Sequence, residues 1–83
     1  MKQLSTLKVG EIGVVSRFTD ETVSTKLMEM GCLPGELIRV VKIAPLGDPM
    51  AIQVAGYELS LRMKEAACVL VLENPNLELV RRN

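Results

Sequence analysis

From Leu7 to Phe18, in LKVGEIGVVSRF, β-branched residues are mixed with two glycines three positions apart. This predicts a first strand over 7–18, entered by a turn at 9–11 and loosened at Gly13. The period then lengthens. In TDETVSTKLMEMGC, Val23, Leu27 and Met30 stand at i, i+4 and i+7, the spacing of one helical face, with Met28 at its edge. Residue types mark the ends of this short helix. Thr19 suits the N-cap, Asp20 and Glu21 place negative charge in the first turn, and Gly31 suits the left-handed position beyond the last turn.

Pro34 and Gly35 then fit the two central places of a type II turn, and Pro34 biases Leu33 away from helix. The strand launched there, LIRVVKI, has Leu37, Val41 and Ile43 on one face and Ile38 and Val40 on the other. It reads as a central strand covered on both sides for part of its length. MAIQVA and YELSLR each alternate, with Met50, Ile52, Val54 and Tyr57, Leu59, Leu61 on their apolar faces. Gly56 at their junction predicts a tight hairpin, although Ala55 beside it is not a favoured turn residue. MKEAA suits one helical turn, CVLVLE a last strand, and NPN at 74–76 a stop. The fold class expected is mainly β: a small SH3-like β-barrel of about five strands with a short helix inserted after the first, closure hiding the strand edges. The domain is placed at 1–73 and a C-terminal tail of unassigned order at 74–83.

Between the third strand and the hairpin lies APLGDP. Pro45 pre-sets φ for the first central place of a type I turn, Leu46 takes the second, and Gly47 accepts the left-handed bulge position. Pro49 holds Asp48 extended. Two roles stay open for this stiff loop: fixing the register of its flanking strands, or presenting Leu46 and Asp48 to a partner at little entropic cost. Asp48 also has a structural alternative, a pair with Arg62.

Composition narrows the chemistry. At 83 residues the chain fits one domain, and one of this size hides only about 60% of the surface its unfolded form exposes. One Phe, one Tyr and no Trp leave the core to aliphatic side chains. Ten acidic and ten basic residues cancel, which removes the long-range electrostatic case for nucleic acid. The absence of histidine removes the commonest general base and metal ligand. No phosphate-cradling glycine motif occurs, so no catalytic residue is assigned and no enzyme is expected. The longest apolar run, AACVLVL, has seven residues, against the roughly 20 of a spanning helix. MKQLSTLKVGE lacks the apolar stretch of a signal peptide, so the expected compartment is the cytoplasm, without membrane insertion. Cys32 and Cys68 form no C-x-x-C and read as small buried hydrophobes. Cys32, next to the helix carrying Glu29, is the one candidate for a soft or borderline ion; a packed helix end is the preferred reading of it, and no metal ligand or cofactor is assigned. Edge strands and a positive mean hydropathy are compatible with a homo-oligomer.

MGCLPG at 30–35, APLGDP at 44–49, LSLR at 59–62, Leu27 and the pair Glu65-Ala66 succeed one another as in the FeoA family, and LKVGEIGVV also fits. Over residues 4–72 the chain resembles these small proteins that accompany the ferrous-iron transporter FeoB. The resemblance implies an SH3-like barrel, a non-enzymatic role in Fe(II) uptake, and contact with the cytosolic GTP-binding part of FeoB. The same fold is similar to the C-terminal domain of DtxR-type repressors, which gives the alternative of a metal-sensing or regulatory domain, with the accessory role the preferred reading. For partner contact the candidates are Leu46, Asp48, Met28 and Leu33, since loops on a rigid scaffold are where binding concentrates. Gly31, Pro34, Gly35, Pro45, Gly47 and Pro49 are the expected structural turn residues.

Overall fold

The computed structural model describes residues 1–73. The stop at 74–76 and the tail lie outside the described residues. Six antiparallel strands form one sheet in the order β1-β6-β2-β3-β4-β5. They are β1 (Lys2–Gln3), β2 (Ile12–Phe18), β3 (Leu37–Ile43), β4 (Met50–Val54), β5 (Tyr57–Leu61) and β6 (Val69–Leu72). The helices are α1 (Glu21–Glu29) between β2 and β3 and α2 (Met63–Ala66) between β5 and β6, with a 3-10 turn at Leu4–Thr6.

The sheet curls because two of its ladders are bulged. Register shifts fall between Val15 and Arg17 in β2 and between Val40 and Lys42 in β3, and an extra residue bends the bulged strand and increases its twist. The two sheet ends, β1 and β5, lead into the 3-10 turn and α2, which pack on each other. A single aliphatic core fills the interior: Leu4, Leu7, Val15, Leu27, Ile38, Val40, Ile52, Leu61 and Val71 are among its buried residues.

Several expectations change in detail. Leu7 does not begin a strand. It is buried after the 3-10 turn, and β2 starts only at Ile12, after a turn closed by Glu11 N–H on Lys8 C=O at 3.0 Å. The two-residue β1, pairing with β6 through Lys2↔Val71 and Gln3↔Leu70, is a sixth strand with no alternation to announce it. β3 is central, between β2 and β4, but only its Ile38 and Val40 face is buried, while Leu37 is exposed. A domain with one core covers one face of its sheet.

The helix start moves by one residue. Asp20, not Thr19, is the N-cap, its Oδ1 accepting from Val23 N–H at 2.9 Å. At the other end the chain closes a Schellman motif: Gly31 N–H donates to Met28 C=O at 3.1 Å and Cys32 N–H to Leu27 C=O at 2.9 Å. Gly31 takes φ +90°, the left-handed conformation this closure requires. Because α1 ends at Glu29, Met30 leaves the apolar stripe. Leu27 alone is buried, Val23 half-buried, and Met30 exposed.

The 33–36 turn is of type II, with Glu36 N–H on Leu33 C=O at 3.0 Å and φ +93° at Gly35. The β4–β5 hairpin has a two-residue turn, Ala55 at φ 51° and Gly56 at φ 85°, flanked by the pair Val54↔Tyr57. Positive φ at both positions makes it type I′ and puts strain on Ala55, of about 1–2 kcal/mol for a non-glycine residue in that region.

Candidate functional site

The loop at 44–49 closes on itself through its backbone. Ala44 N–H donates to Pro49 C=O at 2.9 Å and Gly47 N–H to Ala44 C=O at 2.7 Å, with Pro45 and Leu46 at the turn's centre and Gly47 at φ +91°. The Asp48–Pro49 peptide bond is cis. The loop joins the pair Ile43↔Met50 at the closed end of the β3–β4 ladder. Leu46 stands at its tip, 98% exposed. At its foot is a shallow groove of about 200 Å3, walled by Ile43, Ala44, Pro45, Pro49, Met50 and Ala51, with Lys42 and Ser60 on the rim.

Asp48 does not pair with the Arg62 side chain. Its Oδ1 accepts the backbone N–H of Met63 at 3.0 Å, at the first position of α2. That amide has no acceptor within its own helix, so a carboxylate from fifteen residues upstream does the work of a cap. The next N-terminal donor, Arg62 N–H, is taken by Glu65 Oε1 at 2.9 Å, half of a capping box. The reciprocal half is missing because a guanidinium has no acceptor. Glu65 Oε2 also takes Lys26 of α1. Loop, α2 and α1 are therefore tied in series. The Lys26 hydrogen bond, followed by that of Arg62 N–H, holds the Glu65 carboxyl below its ordinary range.

The second feature is the end of α1. Met28, Met30 and Leu33 are exposed there, and Tyr57 of β5 lays its hydroxyl over Gly31 so closely that a Cβ at Gly31 would stand 2.5 Å from it. Beneath this surface Cys32 is fully buried, and burial, then the charge of Glu36, pushes its thiol up to about 11. At neutral pH it is a protonated, packed side chain. Cys68 is only half-buried at the end of α2, its Sγ near Lys64 C=O at 3.5 Å, so the expectation of two buried cysteines holds for the first alone. Among the described residues no three of the Cys, Asp and Glu side chains come together as a metal site.

The four candidate contact residues thus fall into two groups, Leu46 and Asp48 on the proline loop, Met28 and Leu33 at the helix end. Sequence reasoning missed Tyr57, Met63 and Glu65. Tyr57 and Met63 meet partners far away in sequence, as Glu65 does in holding Lys26; only the bond of Glu65 to Arg62 N–H, three residues back, follows a local pattern.

The FeoA domain model matches residues 2–73. The chain belongs to the FeoA family. A Porphyromonas gingivalis protein, the Fe(2+) transport protein A/Fe(2+) transporter FeoB fusion protein, is 39% identical over 70 residues, covering 83% of this chain and 8% of that protein. The chain thus spans under a tenth of that relative's length. A FeoA-like protein from Clostridium acetobutylicum superimposes with a TM-score of 0.80 at 37% identity, over 84% of this chain and 83% of the other. Stenotrophomonas maltophilia FeoA, solved as a zinc complex and described as a procaryotic SH3 domain protein, gives a TM-score of 0.74 at 32% identity, over 86% and 89%. The expected SH3-like fold is the family's fold. A manganese-dependent transcriptional repressor shares it too, with a TM-score of 0.81 over 88% of this chain and 36% of that one, but at 18% identity the likeness is one of fold. No helix among the described residues is long and apolar enough to cross a membrane.

Proposed function

We propose that this FeoA-family chain is a non-enzymatic accessory of ferrous iron transport, acting in the cytoplasm by docking on the GTP-binding part of FeoB. The observation that carries this reading is the fused relative, in which a segment like this chain and FeoB are one polypeptide. Fusion raises the effective concentration of two modules for each other, which is useful when they work in contact. The lack of histidine and a Cys32 thiol held protonated agree with binding rather than catalysis. Leu46, projecting from a loop braced by its own hydrogen bonds and by Asp48, is the contact residue the geometry favours. A rigid loop loses little entropy on docking.

The test is a pull-down of the full chain against the cytosolic portion of FeoB, with and without guanine nucleotide. Binding in at least one nucleotide state is expected, weakened by Leu46→Ala, which leaves stability within about 0.5 kcal/mol because the side chain packs on nothing. No binding in any state, together with normal iron uptake after deletion, overturns the proposal. Titration with Fe(II), Mn(II) and Zn(II) under reducing conditions separates it from a metal sensor, which needs affinity at cellular metal levels.

A further inference from the structure

Acidic and basic residues are equal in number along the chain but are not spread evenly along it. From residue 20 to residue 36, α1 and the turn after it hold four carboxylates, Asp20, Glu21, Glu29 and Glu36, against the single Lys26. That lysine is engaged by Glu65, and Asp20 is engaged by the helix N-terminus. Among the described residues neither Glu29 nor Glu36 has an ion-pair partner.

Large apolar side chains are exposed around the end of this segment: Met28 at 41% and Met30 at 37%, on either side of Glu29 in the chain, Leu33 at 43%, and Tyr57 at 43%, seated on Gly31 from β5. Unbranched thioethers repack around whatever they meet, which suits a surface that receives a helix. The carbonyl end of α1 lies here as well, so its dipole adds to the negative field of the carboxylates. An apolar centre bordered by unpaired negative charge is complementary to one kind of partner.

We propose that this face docks a basic amphipathic helix of a partner protein, its apolar side on Met28, Met30, Leu33 and Tyr57 and its lysine or arginine side chains on Glu29 and Glu36. Apolar anchors at helical spacing supply the affinity and the flanking charges the orientation and on-rate. Which protein supplies the helix rests on the proposed function; the chemistry of the face does not.

The test is amide chemical-shift mapping of the full chain with a short Leu/Lys amphipathic helical peptide and its Leu/Glu counterpart. The Leu/Lys peptide is expected to shift amides over 28–36 and at Tyr57, less at high salt, and the Leu/Glu peptide to leave them in place. Glu29→Lys with Glu36→Lys is expected to weaken Leu/Lys binding about tenfold, as two rim attractions become repulsions. Should that variant lose its dispersed native spectrum, Glu29→Gln with Glu36→Gln gives a smaller loss in the same direction. Equal binding of both peptides, shifts on another face, or no shifts overturn the proposal. Tighter peptide binding after Arg81→Glu with Arg82→Glu means that the chain's own basic residues compete for the face, and overturns an external partner. Peptide binding on this face without FeoB binding leaves the surface standing and removes the proposed function. FeoB binding indifferent to the charge reversal does the opposite.

Discussion

Replacing Asp48 by alanine removes the acceptor for Met63 N–H, a 3.0 Å bond that joins the proline loop to the start of α2. Alanine in place of an aspartate cap costs about 0.5–2 kcal/mol. Asp48 is an exposed residue, so water partly satisfies the orphaned amide and the cost falls near the middle, about 1 kcal/mol. For a domain of this size that is a fall in Tm of about 4–8 °C. Asp48→Asn keeps an acceptor oxygen at the same place and loses only the charge, so it should cost a few tenths of a kcal/mol. Urea denaturation followed by circular dichroism measures both, with unchanged m-values as the check that unfolding stays two-state. A loss below about 0.5 kcal/mol for the alanine variant, the range of a plain surface substitution, refutes the capping role. The pair also separates structure from docking: if FeoB binding fails with asparagine, whose loop is still tied down, the carboxylate itself touches the partner.

Gly31→Ala should cost about 1–2 kcal/mol from positive φ alone, and more because its Cβ would meet the Tyr57 hydroxyl at 2.5 Å; in a Tyr57→Phe background the steric part should disappear, which a double-mutant cycle in urea reads directly. Glu65, whose pKa is lower in the folded chain, contributes stability that is present above its unfolded value near 4.5 and is lost as pH falls through the folded value. The stability gap between the parent and Glu65→Gln should therefore be constant at neutral pH and close in acid. Cys32, raised to about 11 from 9.0, works in the opposite direction: stability should fall as pH rises from 9 towards 11, where the unfolded thiol ionises and the buried one does not. Native Cys32 should accordingly react with a disulfide reagent at pH 8 far more slowly than Cys68, as mass spectrometry of the labelled sites would show.

Features built from neighbouring residues were legible. The Gly31 helix stop, the Pro34-Gly35 turn, the two-residue hairpin and the Pro45-Leu46-Gly47 turn all close with bonds spanning a few residues, and their residue types are chosen for backbone conformations fixed locally. Asp20 displaced Thr19 as N-cap because both can accept the bond and only the start of the helix decides between them. Alternation gave β4 and β5, while a two-residue strand such as β1 carries no period to read.

By itself, then, the sequence determined the family, the main strands and helix, the turns and the aliphatic core, because these depend on local backbone preference and hydrophobic period. Tertiary structure alone decided that Asp48 caps α2, that Glu65 holds Lys26, that Tyr57 covers Gly31 and that β3 buries one face. It also set Tyr57 of β5 beside the exposed Met28, Met30 and Leu33 around Gly31. Each of these depends on which distant residues the curled sheet brings together, and neither composition nor period records that.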